Sequence, residues 1–513
     1  MISLPRFHRS LLALLIAATT TVALAQDVGA QQQQLPAPAV PFIELNRVVE
    51  QGALRLLPAD SVTQHSIETA QGPIAYTATA GTLPLYDSSG ERTAAIFYTA
   101  YVAANAGANR PVTFVFNGGP GAASAFLHLG LVGPRVAEFG VDGRDASATR
   151  LHDNPQTWLT FTDLVMVDPV GSGFSRAVKA DGGRAFWGVQ RDTDAMAKTI
   201  TTWLANNGRS ASAKYLLGES YGGFRAAKVA RALQRNHGVA VSGIVMVSPL
   251  LEGAFTFGGT RFALGAAMQL PSLAAAELER KGDFTKEKLA AAERFALNEY
   301  LTTLAGAPPR GEPARAFYAR VADLTGLPVE IVTRTRGFIG DAYVRNLRRG
   351  EGKIVSRYDA TFAVPDPYPG DPRARAPDPL LDGVARAYGG AFATYVREEL
   401  GYKTELSYVL LSGEANGSWD WGERSGRATA SVDGDLRALL TLQPSFRLLI
   451  SHGYTDMVTP YAVSRYVLNH LPDMENPSRA RLTLYRGGHM FYLDRNSRQD
   501  FSADAKAFYH AEP

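Results

Sequence analysis

Short apolar runs recur along the chain, each stopped by Gly, Pro, Asp or Ser. PVTFVF ends in NGGPGAAS, DLVMV in DPVGSG, KYLL in GESYGG and GIVMV in SPL. Far downstream, FRLLI leads into SHGYTD and RLTLY into RGGHM. Consecutive apolar positions, as opposed to alternating ones, predict strands buried on both faces of a largely parallel sheet. Helix-compatible segments such as RDTDAMAKTITTWLANN and FRAAKVARALQRN lie between them. Ahead of these runs, IAYTATAGTLPLY and TAAIFYTAYVAA are β-branched and aromatic, with DSSGE between them, and predict an antiparallel hairpin. The alternation predicts the α/β class: a mostly parallel, doubly wound sheet flanked by helices, with eight strands.

Residues 252–435 break this rhythm. AAAELERKGDFTKEKLAAAERFALNEYLTTLAG is amphipathic in a helical period, and AVPDPYPGDPRARAPDPLLDG is a Pro/Asp-rich loop. The block is predicted to be a mostly helical cap inserted between the sixth and seventh strands, dividing a core of residues 71–251 and 436–513. At the N-terminus, Arg6 and Arg9 precede the apolar run LLALLIAATTTVALA, and Ala23-Leu24-Ala25 are spaced for cleavage before Gln26. Residues 1–25 therefore read as a secretory signal, too short in uninterrupted apolar length to span ~30 Å of hydrocarbon. Residues 26–70, opening with a Gln, Ala and Pro-rich stretch, read as flexible leader and N-terminal extension. The expected product is exported, periplasmic or secreted, without a stable membrane anchor.

Composition narrows the chemistry. The 513 residues are 46% hydrophobic and 20% charged, with a formal net charge of +3. Lys and Arg are dispersed, which argues against a nucleic-acid partner. The absence of cysteine removes disulfides, thiol nucleophiles and thiolate metal sites. The nine histidines are scattered without ligand spacing, so neither a metal nor another cofactor is expected.

GESYG is the only G-x-S-x-G in the sequence. A strand that turns sharply into a helix holds a serine at the apex of such a motif, and small residues two before and two after relieve the crowding. KYLL before it and FRAAKVARAL after it supply the strand and the helix, which makes Ser220 the candidate nucleophile. A serine hydroxyl needs an adjacent base. In this architecture the orienting acid follows the penultimate strand and the base follows the last, pointing to Asp456 in SHGYTD and His489 in RGGHM. His452, His510 and Asp494 are the rivals. The oxyanion hole needs one donor after the nucleophile and one from the loop after the third strand, here the N–H groups of Tyr221 and Gly119. Asp168 in DPVGSGF is expected to shape the neighbouring loop.

FNGGPGAAS, NPQTW with DPVGSGFS, LLGESYGGF, GYTDMVTP and RGGHM resemble, in order, the signature blocks of the serine carboxypeptidase family (peptidase family S10) of α/β-hydrolases, in a bacterial branch. The resemblance spans residues 114 to 490. It implies Ser220, Asp456 and His489 as the triad and Gly119 and Tyr221 as oxyanion donors. It further implies that Asn117, Gly118 and Glu219 hold the terminal carboxylate of a peptide substrate. The implied activity is removal of residues from a peptide's free C-terminus at acidic pH. Two carboxylates in contact cannot both stay ionised, so such a site binds best with Glu219 protonated.

The sequence departs from the family at three places. Ala122 stands where a cysteine is usual. Gly130 stands where a second glutamate usually pairs with the first. Met490-Phe491-Tyr492 replaces a valine-proline block. The demand for acid is expected to persist in weakened form. An esterase or acyltransferase with the same triad, or a binding protein on a retired hydrolase scaffold, are the alternatives.

Overall fold

The computed structural model describes residues 52–104, 107, 109–140, 143–371, 376–422, 426–472 and 476–511. The expected signal segment and leader up to residue 51 lie outside them.

Nine strands form the main path of the central sheet. They are β1 (Ser61–Thr69), β2 (Gly72–Tyr86), β3 (Arg92–Ala103), β4 (Val112–Phe116), β5 (Asp163–Val167), β6 (Lys214–Glu219), β7 (Gly243–Val247), β8 (Arg447–Gly453) and β9 (Ala480–Tyr485). Their spatial order is β1-β2-β3-β5-β4-β6-β7-β8-β9, with a two-residue strand, Arg176–Ala177, added beside β3. Pairings are antiparallel as far as β3/β5 and parallel from β5/β4 to β9. The eight predicted strands all occur. β1 was read within the N-terminal extension; its residues alternate between more and less exposed, with only Ile67 buried, as an edge strand requires. β4, β5 and β7 are buried at every residue.

Both faces of the parallel part are covered. Phe114, Leu216, Ile244 and Met246 point to one side, where α1 (Val189–Asn206) and α2 (Tyr221–His237) bring Met196, Trp203, Phe224 and Val229. Val115, Leu217 and Val245 point to the other side, toward Trp158, Phe501 and Tyr509. The period-two alternation of each strand is thus spent on two separate cores.

Residues 252–435 divide into two parts. The first contains α3 (Ala263–Arg280), α4 (Lys286–Phe295) and α5 (Gly311–Thr325), with an apolar cluster of its own built on Leu270, Leu273, Phe295, Phe317 and Val321. The second contains α6 (Ala387–Glu398), whose Tyr388, Phe392, Tyr395 and Val396 belong to the main core beside Phe97, Tyr101 and Phe126. The described residues form one compact unit. Among the described residues, no helix is long and apolar enough to cross a membrane.

Candidate active site

Strand register brings the chemistry to one edge. Phe116 pairs with Gly218, Glu219 with Val247, Val247 with Ser451, and Gly453 with Tyr485. Asn117, Ser220, Ser248, Asp456 and His489 therefore all follow the carboxyl ends of neighbouring parallel strands, where α/β sheets assemble their sites.

Ser220 stands between β6 and α2 with φ +59° and ψ −124°, a backbone region that L-residues rarely adopt. The turn holds because its neighbours lack side chains. A Cβ on Gly218 would lie 2.0 Å from the Gly222 carbonyl oxygen, and one on Gly222 would lie 2.5 Å from that of Phe116. The backbone is pinned as well: the Ser220 N–H donates to the Val247 carbonyl at 2.9 Å, and its own carbonyl accepts from Leu250 at 3.1 Å.

His489 Nδ1 lies 2.9 Å from Asp456 Oδ2, and both side chains are buried. Asp456 Oδ1 accepts from the N–H groups of Val458 (2.7 Å) and Thr459 (3.1 Å), which fixes the carboxylate. The Thr459 hydroxyl lies 2.8 Å from Asp456 Oδ2, 2.8 Å from the Ser248 carbonyl and 3.0 Å from His489 Nδ1. Its single proton can serve only one acceptor. Ser248 ties the loops together: its hydroxyl donates to the His489 carbonyl at 2.8 Å, and its N–H to the Ser451 carbonyl at 2.7 Å. Burial works to lower the His489 pKa, but the charge and hydrogen bond of Asp456 outweigh it and hold the imidazole above its ordinary value. Among the described residues the Ser220 hydroxyl forms no hydrogen bond.

The rivals have other positions. His452 bonds Ser464 through Nε2 at 2.7 Å, and burial depresses its pKa to about 4, so it is a neutral core histidine. Asp494 caps the last helix, Arg495–His510, by accepting from the Ser497 N–H at 2.8 Å, and His510 ends that helix, exposed. Asp168 accepts from the Ser124 N–H at 2.8 Å, and burial raises its pKa to about 6.

The glycine loop lies against the elbow. A Cβ on Gly118 would be 2.6 Å from both the Glu219 carbonyl oxygen and the Tyr221 nitrogen. Gly119 has φ +98°. Neither its N–H nor that of Tyr221 has a hydrogen-bond partner among the described residues, which leaves two donors beside the serine. The end of the insertion braces this loop. Ala123 donates to the Leu410 carbonyl, Ser412 to that of Gly121, and Asn416 Nδ2 to that of Pro120.

Glu219 is buried, stands next to Ser220 in the sequence and precedes the turn. Its Oε2 accepts from Asn117 Nδ2 at 2.5 Å and from Tyr492 Oη at 2.9 Å. Burial pushes its pKa up to about 7, against the opposing pull of His489 and the two hydrogen bonds. Asn117 is held from behind: its side-chain oxygen accepts from the Leu127 N–H at 3.0 Å, and its carbonyl accepts from Arg225 Nη1 at 2.5 Å. Arg225 is itself fully buried and bonded to Asp192 at 2.6 Å.

Sequence reasoning missed Thr459, Ser248, Tyr492 and Arg225. Thr459 had a signal, since a hydroxyl three residues after a loop aspartate can close a local turn onto it. The other three act across distant segments and leave none.

A parallel sheet with a strained strand–serine–helix turn and an Asp–His pair at its carboxyl edge defines an α/β-hydrolase. Residues 72–254, which carry the elbow and the glycine loop, match the model of the serine carboxypeptidase family, Peptidase_S10. A search of the curated proteins finds no match. Among solved structures, the chain is similar to the prohormone-processing carboxypeptidase Kex1(Δ)p from Saccharomyces cerevisiae, at 14% identity and a TM-score of 0.54, over 84% of this chain and 91% of that one. It also aligns with a proline iminopeptidase from Mycobacterium smegmatis, at 18% identity and a TM-score of 0.35, over 84% and 97% of the two chains.

Proposed function

We propose that the protein is a serine-type carboxypeptidase that releases residues from the free C-terminus of peptides. Ser220 Oγ attacks the scissile carbonyl while His489 Nε2 takes its proton, and Asp456 holds the imidazole in the tautomer this requires. The N–H groups of Gly119 and Tyr221 receive the charge that develops on the carbonyl oxygen. His489 then protonates the departing amine, leaving an acyl-enzyme on Ser220. Water activated by the same histidine hydrolyses it, so no cofactor enters any step.

The observation that carries the substrate class is the Asn117–Glu219 pair beside the nucleophile, with Glu219 buried and its pKa raised to about 7. A general esterase has no use for a half-protonated carboxyl there. For a ligand that ends in a carboxylate, the acid form of Glu219 donates to one oxygen, and the second N–H of the Asn117 amide with the Gly118 N–H serves the other.

The test compares a blocked dipeptide with its C-terminal amide. Hydrolysis of the free acid should exceed that of the amide by at least about tenfold in kcat/KM at mildly acidic pH, the worth of one charge-assisted hydrogen bond. Equal rates would sink the carboxylate reading. Phosphonate labelling that is lost in Ser220→Ala checks the nucleophile separately.

A further inference from the structure

The two oxygens of Glu219 are used unequally. Both Asn117 Nδ2 and Tyr492 Oη donate to Oε2, whereas no described residue hydrogen-bonds Oε1. A carboxyl oxygen that already accepts two hydrogen bonds has no lone pair to spare for a proton. From this we infer that Tyr492 is a positioning residue of the substrate site: with Asn117 it saturates Oε2 and so places the acid proton of Glu219 on Oε1, ready to be donated to a substrate carboxylate.

The phenol can stand there because Gly130 has no side chain. A Cβ at residue 130 would lie 2.6 Å from the Tyr492 ring and 2.7 Å from the Tyr388 hydroxyl. Any larger residue would push the Tyr492 ring off Glu219. Tyr492 is fully buried in the segment that follows His489, so the loop that delivers the base also delivers this hydroxyl.

The groups that face Glu219 leave no better donor for Oε1. His489 favours its ionised form and Asp456 opposes it, while the phenols of Tyr358 and Tyr388 carry raised pKa values and stay neutral. Among the described residues, buried Tyr388 Oη has no hydrogen-bond partner, Glu219 included. Loss of the Tyr492 hydroxyl removes a bond that favours the ionised form, so the titration midpoint of Glu219 should move upward.

The inference rests on the carboxypeptidase reading, and the experiment separates the two. In the first arm, kcat and KM for the blocked dipeptide and its amide are followed across pH in the wild type and Tyr492→Phe. The variant should raise KM for the free acid about three- to tenfold below the midpoint, well beyond any change in kcat or in the amide, with the alkaline limb displaced upward. Superimposable profiles, or an equal change for the amide, would overturn the inference. Equal wild-type rates on acid and amide would instead overturn the carboxypeptidase reading.

The second arm needs no substrate. The infrared carbonyl band of protonated Glu219, assigned by its absence in Glu219→Gln, should lie low because its carbonyl oxygen accepts two hydrogen bonds. The band should rise in Tyr492→Phe. Gly130→Ala, which crowds the ring and leaves the hydroxyl in the chain, should move it the same way if the Phe variant fails to fold. An unmoved band in a folded variant refutes the proton placement whatever the substrate.

Discussion

Glu219 and His489 ask opposite things of the solution. In the proposed mechanism His489 must be neutral to accept the Ser220 proton, and Asp456 holds its pKa above the ordinary value. The chemical step is therefore lost as pH falls through that raised pKa. In the same proposed mechanism Glu219 must be protonated to meet a substrate carboxylate, and burial pushes its pKa up to about 7. Binding of a free acid is therefore lost as pH rises past that value. The expected outcome is a bell-shaped kcat/KM for a peptide with a free C-terminus, falling on the alkaline side from near pH 7. An amide or ester of the same peptide should show the acid limb alone. Each of the two groups feels the other's charge, so the limbs report values of the coupled pair. A free-acid profile that stays flat well above pH 7 would remove Glu219 from substrate binding. The sequence marks both residues, because each sits in a recognisable strand-end block. It does not mark Tyr492. The apparent loss of a second carboxyl at Gly130 is a space that this phenol fills from 362 positions away in the chain.

At the scale of elements, the site depends on how α1 and α2 are joined beneath the glycine loop. Arg225 on α2 has no exposure, and it binds Asp192 on α1 through Nε and the Asn117 carbonyl after β4 through Nη1. Its guanidinium also lies 5.1 Å from the Tyr221 ring. Burial raises the pKa of Asp192 even though Arg225 opposes the shift, so the pair is strained by desolvation and held by geometry. Asp192→Asn would leave a buried cation half-satisfied and should cost about 3–5 kcal/mol in urea unfolding. Replacing both partners by apolar residues of similar volume should cost less than the single change. A loss below about 1 kcal/mol for Asp192→Asn would mean that the pair is not what positions α1 against α2. This tie is illegible in the sequence, since RDTDAM and FRAAKV read only as helical turns with a charge in them. The strands were legible for the opposite reason. β4, β5 and β7 are apolar at consecutive positions because both faces are covered, and that pattern is local. β1 pairs only with β2 and has one buried residue, so its polar pattern gave no strand signal.

At the scale of the whole molecule, the insertion is the element whose meaning changes most between sequence and structure. Its length and amphipathic helices suggest a mostly helical cap inserted between the sixth and seventh predicted strands. The first part packs around an apolar cluster of its own that includes Leu273 and Phe317. The second part does not. Phe392 on α6 meets Phe97 on β3 edge to face at 6.3 Å and His128 at 5.2 Å, and its neighbour Tyr395 hydrogen-bonds Tyr101 at 3.0 Å. Residues 409–412 continue from there to brace the glycine loop. Removing such an aromatic leaves a cavity in the main core, so Phe392→Ala should lower global stability by about 3–5 kcal/mol. Leu297, which is 50% exposed on the first part of the insertion, should cost within about 0.5 kcal/mol when changed to Ala. The discriminating readout is the shape of the unfolding curve followed by both tryptophan fluorescence and circular dichroism. If residues 380–411 are part of the core, Phe392→Ala shifts a single transition in both signals, because the site and the sheet unfold with that segment. If the whole insertion were a separable lid, the variant would show an early, partial transition while the sheet kept its wild-type midpoint and Ser220 kept reacting with the phosphonate. Coincident loss of sheet and labelling is the expected result.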